Sequence, residues 1–242
     1  MRTLSVLFVL AASAVLAADA DPWKLDDKLK ILKPEDTKDA EGTKPPKDAV
    51  MLFDGKDFSK WTKTNGKDEV KWTLRDGGVM EGVKGHGDIM TKEKFAGSFT
   101  LHVEFRVPYE PGAAGQGRGN SGVYVQGRYE VQVLDSYGLK PGKNDCGAIY
   151  EVAAPKTNEC KAPTVWQTYD IEFTAPKFEN GKKTEPAKMT VHHNGVKIHD
   201  AVEIPVDNTR SGLGGNASTP GPIMLQDHGH PVQFRNVWLL KK

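Results

Sequence analysis

The sequence predicts an all-β fold. Three features support this prediction: short runs that alternate apolar and polar residues recur, glycine is abundant (25 of 242 residues), and helical periodicity is scarce. Alternation with a period of two is typical of strands that bury one face, and glycine is common in the turns between them. Because all-β sandwiches of this length often form one unit, a single large domain is the simplest interpretation.

The first 17 residues have the pattern of a secretory signal peptide. Arg2 precedes an apolar stretch from Leu4 to Leu16, and Val15-Leu16-Ala17 is typical of a cleavage site. The alternative is a retained membrane anchor, but Asp19 and Asp21 follow at once, and no later run is apolar enough to span a bilayer. The sequence therefore predicts a bacterial protein that is periplasmic or secreted.

Residues 18–49 predict a charged, proline-containing linker or arm. Lys, Asp, Glu and Pro dominate this segment, so it cannot bury enough apolar surface to fold alone. It is either a tether or an arm that docks on the main domain, which we place at residues 50–242. The formal charge is +1, and loss of Arg2 with the signal peptide leaves zero. This balance argues against nucleic acid as the main partner.

The main domain begins with predicted strands and hairpins. The range 51–58 predicts a strand followed by a turn at Asp54-Gly55. Residues 70–74 alternate between apolar and polar, and Asp76-Gly77-Gly78 predicts a turn that joins them to a second strand at 79–82. The clearest alternating strand is 99–107. One side of that strand carries Phe99, Leu101, Val103, Phe105 and Val107, and the other carries His102, Glu104 and Arg106.

The remaining predicted strands are separated by long loops. Ranges 108–119 and 138–164 are irregular, and such loops at the rim of a sandwich often carry function. We predict a strand at 166–173, a hairpin at 189–200 around Asn194-Gly195, and a closing strand region at 222–240.

The stretch 119–138 carries the most informative polar residues. It predicts two strands joined at Gly127, and its apolar side consists of Ser121, Val123, Val125, Tyr129, Val131 and Val133. The other side consists of Tyr124, Gln126, Arg128, Glu130 and Gln132, with Asp135 where the strand ends. Long hydrogen-bonding side chains on neighbouring strands indicate a binding surface. The alternative is an ordinary solvated sheet face.

The two cysteines, Cys146 and Cys160, could close a loop of 15 residues. In an oxidising compartment such a disulfide contributes roughly 3 kcal/mol by restricting the unfolded chain. Because export is predicted, we expect the disulfide rather than a pair of free thiols.

A series of short motifs, in order from about residue 50 to residue 240, resembles the 3-keto-disaccharide hydrolase domain family, formerly a domain of unknown function. The motifs are Leu52-Phe53-Asp54-Gly55-Lys56 with Trp61, Asn120-Ser121-Gly122, residues 129–135, Gly147-Ala148-Ile149-Tyr150, Trp166, His193-Asn194-Gly195, Gly221-Pro222-Ile223, residues 225–229 and Phe234-Arg235-Asn236. The resemblance implies a jelly-roll β-sandwich of concanavalin or laminarinase type. It also implies an exported enzyme that cleaves 3-keto-glycosides, with an oligosaccharide or small glycoside as substrate.

The implied chemistry needs a base, an electrophile and an acid. A ketone at C3 acidifies the C2 proton, so a base can remove it, the C1 substituent can leave, and water can add to the enone. Glu130 or Asp135 could be the base, and His228, Arg235 or a divalent metal could hold the enolate charge. No cofactor is certain.

The remaining substrate-binding candidates come from several strands and loops. They are Asn120, Gln132, Tyr150 and Gln226 for hydroxyl groups, Trp166 for stacking on a ring, and Glu104, Arg106 and Arg235 as ionisable contacts.

Each candidate also has a structural interpretation. Glu130 and Arg235 could form a cross-strand ion pair, and Asp135 could cap a turn. Asp227, His228 and His230 offer metal-ligand types at close spacing.

Three classes of function remain open from the sequence. A retaining laminarinase would show Glu-x-Asp-x-x-Glu, whereas residues 130–135 read Glu-Val-Gln-Val-Leu-Asp, which weakens the two-carboxylate interpretation. A non-catalytic carbohydrate-binding module and a surface domain without a ligand are the alternatives to the 3-keto-glycoside enzyme.

Overall fold

The computed structural model describes residues 21–242, so the predicted signal peptide lies outside the described residues. The fold is almost entirely β, which confirms the predicted class. Two short 3-10 helices span Pro34–Thr37 and Gly115–Gly117. The strands are β1 (Val50–Phe53), β2 (Trp61–Lys63), β3 (Thr73–Arg75), β4 (Val79–Glu81), β5 (Ile89–Thr91), β6 (Phe99–Arg106), β7 (Ser121–Val125), β8 (Tyr129–Val133), β9 (Gln167–Thr174), β10 (Lys177–Glu179), β11 (Lys182–Glu185), β12 (Ala187–His193), β13 (Val196–Ile204), β14 (Met224–Leu225) and β15 (Gln233–Lys241).

Two antiparallel sheets form a sandwich. The eight-stranded sheet has the order β13-β12-β9-β6-β15-β4-β3, with β1 also paired to β15, and the five-stranded sheet has the order β2-β5-β14-β7-β8. Strands β10 and β11 form a separate hairpin. Apolar side chains from both sheets meet in one buried cluster, which includes Leu101 and Phe105 from β6 and Val123 and Val131 from the β7–β8 hairpin. The alternation predicted for these strands therefore gives the correct buried faces.

The predicted hairpins are confirmed at β3–β4, β7–β8 and β12–β13. The prediction at 70–74 began too early, because strand pairing starts only at Thr73. Strands β2 and β5 were not predicted, since three residues are too few to show alternation. Strand β2 pairs with β5, and β5 also pairs with β14. These pairings place both strands in the five-stranded sheet.

The segment at residues 21–49, which we call the arm, docks on the outer face of the eight-stranded sheet. Asp39 Oδ1 accepts a hydrogen bond from the backbone N–H of Trp166, whose carbonyl accepts from Ala40 N, at 3.0 and 2.9 Å. Further along, the carbonyl of Thr43 accepts a hydrogen bond from Trp238 Nε1 at 3.1 Å. These contacts to backbone and tryptophan groups explain how a segment with little apolar surface is held in place.

A polar network lies under the arm. The ring of His102 stacks on Trp238 with centroids 5.0 Å apart, and Arg235 Nε lies 2.6 Å from Glu104 Oε2. Burial raises the pKa of Glu104, but the His102 ring nitrogen 3.7 Å away and hydrogen bonds from Asn236 and Arg235 outweigh it and lower this pKa to about 2. The Glu104 carboxylate is therefore ionised and paired with Arg235 at neutral pH.

The predicted disulfide between Cys146 and Cys160 is not formed in the structure. Both residues are buried free thiols, and their sulfur atoms lie within 4.8 Å of each other and of a ring nitrogen of His193. The hydroxyl of Tyr169 is 3.1 Å from Cys146 Sγ, so this thiol already has a polar neighbour in the core. Folding brings the two cysteines together as expected, but the bond between them is absent.

We predict that Gly42→Ala weakens docking of the arm. A methyl group at residue 42 would overlap the carboxylate of Glu104. Relieving this overlap should cost about 1–3 kcal/mol, by analogy with overpacking of a core. We expect a lower melting temperature and faster proteolytic cleavage within residues 21–49.

The matched control is Gly112→Ala, because a Cβ at Gly112 meets no atom within 4 Å. Equal stability and equal protease resistance in the two variants would contradict the packing of Gly42 against Glu104.

Candidate functional site

A polar cavity of about 270 Å³ opens on the outer face of the five-stranded sheet. Strand β8 supplies its floor, and the other lining residues come from four segments outside the strands, at 116–120, 150, 210–211 and 226–228. The lining residues are Gln116, Asn120, Glu130, Gln132, Tyr150, Arg210, Ser211, Gln226 and His228. Side chains of both signs, amides and hydroxyl groups therefore surround one small space.

Strand alternation places Glu130 at the floor of this cavity. Residues Val131 and Val133 point into the sandwich core, so Glu130 and Gln132 must point to the opposite side. Across the hairpin, Glu130 is paired with Tyr124. The carboxylate lies over Gly122, where a Cβ atom would overlap Glu130 Oε1. A glycine at this position leaves the space that the carboxylate occupies.

The environment of Glu130 favours its neutral form. Burial raises the pKa of Glu130, the nearby hydroxyl of Tyr124 lowers it, and the negative charges of Asp88 and Glu151 raise it, so that this pKa is about 8. Burial dominates because a carboxylate that loses water is destabilised relative to the neutral acid. A carboxyl group with a pKa near the working pH is suited to general acid or base catalysis.

Three amides form one wall of the cavity. Gln116 Oε1 accepts hydrogen bonds from Asn120 Nδ2 at 3.1 Å and from Gln132 Nε2 at 3.0 Å, while Gln116 Nε2 donates to the Asn144 carbonyl at 2.9 Å. The remaining oxygens, Asn120 Oδ1 and Gln132 Oε1, are buried and have no partner among the protein groups of residues 21–242. The wall is therefore rich in hydrogen-bond acceptors, as a site for hydroxyl groups would be.

The opposite wall supplies a cation. Arg210 Nη1 lies 3.2 Å from Glu151 Oε1, and the Arg210 side chain is 70% exposed. On the floor, Gln226 Nε2 donates to the hydroxyl of Tyr124 at 3.1 Å. The cavity thus has one carboxylate below and one guanidinium at its edge.

Six of the residues singled out from the sequence meet in this cavity. They are Asn120, Glu130, Gln132, Tyr150, Gln226 and His228.

The structure does not bring the other five to the cavity. They are Glu104, Arg106, Asp135, Trp166 and Arg235. Asp135 Oδ2 pairs with Arg118 Nη2 at 2.7 Å, and the other carboxylate oxygen, Oδ1, accepts a hydrogen bond from the backbone N–H of Tyr137 at 3.3 Å. The sequence alone could not exclude Asp135, because Asp135 lies just after the end of β8, the strand that carries Glu130.

The remaining four lie on the eight-stranded sheet or beside it, under or next to the arm. The guanidinium groups of Arg106 and Arg235 lie 4.9 and 4.0 Å from the ring centroid of Trp166, and Arg235 pairs with Glu104 rather than Glu130. Their strands, β6 and β15, turn their outer faces away from the five-stranded sheet. These side chains bind one another and the arm.

Sequence reasoning missed Gln116, Arg210 and Ser211. Gln116 lies in the glycine-rich loop before β7, and the other two lie in the irregular segment between β13 and β14. Neither segment has a periodicity that would predict which side chains turn toward the sheet. The clustering of glycine around both positions was the only available signal.

Two residues with metal-ligand chemistry near the cavity, Asp227 and His230, already have protein partners. Asp227 accepts hydrogen bonds from the backbone N–H groups of Gly87 and Gly229, and His230 Nδ1 lies 2.8 Å from Glu110 Oε2. Within residues 21–242, one group of potential metal ligands has ligand atoms that all lie within 4.8 Å of one another. This group consists of Cys146, Cys160 and His193, and it lies in the core. The predicted trio of Asp227, His228 and His230 does not form such a group.

Comparisons with known proteins show which structures this chain is similar to. A crystal structure of a candidate glycosyl hydrolase from Parabacteroides distasonis is 38% identical, with a TM-score of 0.74 over 81% of this chain and 85% of that chain. Two further candidate glycosyl hydrolases from the same organism share the fold. They are 21% and 23% identical, with TM-scores of 0.58 and 0.53, and each match covers 80% of this chain and 94% or 99% of the other. No curated protein matches the chain significantly.

The family model described as the 3-keto-alpha-glucoside-1,2-lyase-like domain matches residues 48–240. This match spans nearly the whole described chain and confirms the resemblance seen in the motifs. The chain therefore belongs to the 3-keto-alpha-glucoside-1,2-lyase-like domain family.

Proposed function

We propose that this chain is an exported enzyme that cleaves 3-keto-glycosides, including 3-keto-disaccharides, in the cavity above Glu130. Family membership and the similarity to glycosyl hydrolases support action on carbohydrates. The observation that carries the proposal is Glu130 itself, a buried carboxyl group with a pKa of about 8 at the floor of a cavity lined by hydrogen-bonding groups.

In the proposed reaction, ionised Glu130 removes the proton from C2 of the sugar. The electron pair of that C–H bond moves toward the C3 ketone to give an enolate, and its return forms the C1–C2 double bond as the C1–O bond breaks. His228 gives a proton to the departing oxygen, and Arg210 stabilises the negative charge on the enolate oxygen. The oxygen of a water molecule then bonds to C1 of the enone, His228 takes a proton from that water, and Glu130 returns its proton to C2. The net result is hydrolysis, and both residues regain their starting protonation.

The composition of the cavity favours this chemistry over that of an ordinary glycosidase. Among its lining residues in the described chain, Glu130 alone carries a carboxyl group. Retaining glycosidases use two carboxyl groups about 5 Å apart, and inverting enzymes also use two. Asp135, the nearest candidate in sequence, is occupied by its ion pair with Arg118. A single base beside amides and a cation suits proton removal next to a ketone.

A non-catalytic carbohydrate-binding module is the second candidate. The wall formed by Gln116, Asn120 and Gln132 supports this alternative, because buried amide oxygens can bind sugar hydroxyl groups without any reaction. Turnover, rather than binding, separates the two functions.

The proposed location of the enzyme is the periplasm or the exterior of a bacterium. This proposal depends on residues 1–17, which have the composition of a signal peptide. Among the residues that the structure describes, there is no helix with the length and apolar character that a membrane crossing requires.

Replacing the proposed base should abolish turnover and preserve binding. We expect Glu130→Gln to lower the rate of glucose release from 3-keto-trehalose by about 10²–10⁴-fold, the usual contribution of a general base. The near-isosteric amide keeps the shape of the floor, so the ligand-induced rise in melting temperature should remain.

The control for this experiment is Glu179→Gln, which changes an exposed carboxylate on β10 and should be fully active. Wild-type protein that binds 3-keto-glycosides without cleaving them would instead identify a binding module. Wild-type activity in Glu130→Gln would remove Glu130 from the mechanism.

The same substitution should stabilise the protein at alkaline pH. Folding raises the pKa of Glu130 from an ordinary value of 4.5 to about 8, so the folded state holds a proton that the unfolded chain has lost. The stability contributed by Glu130 is complete below pH 4.5 and falls as the pH rises through 8.

We therefore expect Glu130→Gln to melt at a higher temperature than wild type at pH 8, with a difference that shrinks toward pH 4.5. Scanning calorimetry across this range, with Glu179→Gln as control, measures the difference. A difference that does not change with pH would contradict the buried, neutral form of Glu130.

A further inference from the structure

Two thiols and an imidazole meet in the core of the sandwich, and none of them lines the cavity at Glu130. Cys146 and Cys160 lie in the long loop between β8 and β9, and His193 is the last residue of β12. The two sulfur atoms and a ring nitrogen of His193 all lie within 4.8 Å of one another, and all three residues are buried. Three segments that are far apart in the chain therefore place ligand atoms around one point.

The spacing of these atoms is close to what a metal ion requires. Zinc binds thiolate sulfur at about 2.3 Å and imidazole nitrogen at about 2.0–2.1 Å, so ligand atoms around one ion lie roughly 3.5–4 Å apart. A set that is already gathered within 4.8 Å needs only small side-chain shifts to bind an ion. Thiolate and imidazole ligands favour zinc or copper(I) over magnesium or calcium.

Hydrogen bonds determine which nitrogen of His193 carries the proton. Gln167 Oε1 accepts a hydrogen bond from the backbone N–H of Lys161 at 3.0 Å, which identifies this atom as the amide oxygen. His193 Nε2 lies 3.0 Å from the same oxygen, so Nε2 is the donor. In the neutral ring, Nδ1 then has the lone pair that a metal ligand needs. Histidine ligands usually donate their other ring N–H in this way.

A second set of hydrogen bonds holds the two cysteines in place. Ser136 Oγ accepts a hydrogen bond from the backbone N–H of Cys146 at 3.0 Å, and Asn158 Oδ1 accepts one from that of Cys160 at 2.9 Å. Asn158 Nδ2 also donates to the carbonyl of Ser136 at 2.7 Å, so the segments that carry the two cysteines are joined. The ligand atoms are therefore positioned by contacts around them, as in a metal site.

We propose that Cys146, Cys160 and His193 bind one metal ion that prefers thiolates, zinc or copper(I), and that this ion cross-links the β8–β9 loop to the eight-stranded sheet. Each thiol loses its proton on binding, and an electron pair of each sulfur forms a bond to the ion. With Zn²⁺, two thiolates and a neutral imidazole give a site without net charge, which lowers the cost of burying it.

The cross-link affects the cavity through the same loop. After Cys146 the chain runs beside β8, where the backbone N–H of Gly147 donates to the carbonyl of Gln132 at 2.9 Å and that of Tyr150 donates to the carbonyl of Glu130 at 3.1 Å. Tyr150 lines the cavity. The ion thus fixes the start of the segment that presents Tyr150. Its role is structural, so its binding does not depend on the reaction proposed at Glu130.

The test measures the metal content and coordination of the full chain. Because the ligands are buried, the chain is refolded under reducing conditions with Zn²⁺, with Cu(I) or with a chelator. We expect about one ion per chain, and a higher melting temperature than with the chelator. Competition between the two metals identifies the preferred ion. For zinc, X-ray absorption should show sulfur neighbours at about 2.3 Å and a nitrogen neighbour at about 2.0–2.1 Å.

The variants Cys160→Ser and His193→Gln should lose this ion. The matched control is His192→Gln, which changes the preceding residue of β12, a partly exposed histidine on the opposite face of the strand. This control should keep the ion and its effect on the melting temperature. If His193→Gln does not fold, the nearly isosteric Cys160→Ser and the X-ray absorption of the wild-type chain still test the site.

Three results would overturn the proposed site. The first is a folded, reduced wild-type chain that takes up neither metal. The second is an ion that remains in Cys160→Ser, or that is lost equally in His192→Gln, because either result places the binding elsewhere. The third is a metal-free chain, isolated from the periplasm, that is two hydrogen atoms lighter than the reduced form. That mass would show that Cys146 and Cys160 form a disulfide instead of binding a metal.

Discussion

The loss of water around the carboxyl group of Glu130 is the constraint on which the site depends. A carboxylate in water has a pKa far below neutrality and is a weak base, whereas burial raises the pKa of Glu130 to about 8. Three features of the five-stranded sheet and its loops produce this burial. Alternation turns Glu130 away from the apolar core, Gly122 leaves room beneath the carboxylate, and loops close over it. The polar face of the sheet thereby forms a cavity floor in which Glu130 is buried.

The two sheets use their polar outer faces differently. On the eight-stranded sheet, Glu104 is ionised and satisfied by Arg235 and its neighbours, and the arm covers the network. On the five-stranded sheet, the cavity contains a carboxyl group held near its neutral form and amide oxygens that have no protein partner among residues 21–242. A satisfied ion pair stabilises a docking surface, whereas an unsatisfied, desolvated group is suited to binding and chemistry. Electrostatics thus separates two faces that look alike in sequence.

The sequence predicted which side chains share a face within a strand, and this was sufficient for two of the nine residues that line the cavity. Glu130 and Gln132 were found because the period of two is local. Asn120, Tyr150, Gln226 and His228 came from short motifs of the resembled family. Arg210 and Gln116 were missed because irregular loops have no period, and their positions depend on where the loop crosses the sheet. Arg235 was grouped with Glu130 because sequence pattern does not specify which sheet a strand joins.

By itself, the sequence determined the all-β class, the main hairpins and the buried face of each long strand. These properties follow from alternation and turn residues that act over a few positions. Only the tertiary structure decided that the arm docks, that Arg235 pairs with Glu104 instead of lining the cavity, and that Glu130 is desolvated. Each of these depends on strand order and on contacts between residues far apart in the chain, because burial and charge pairing are properties of the assembled sheets.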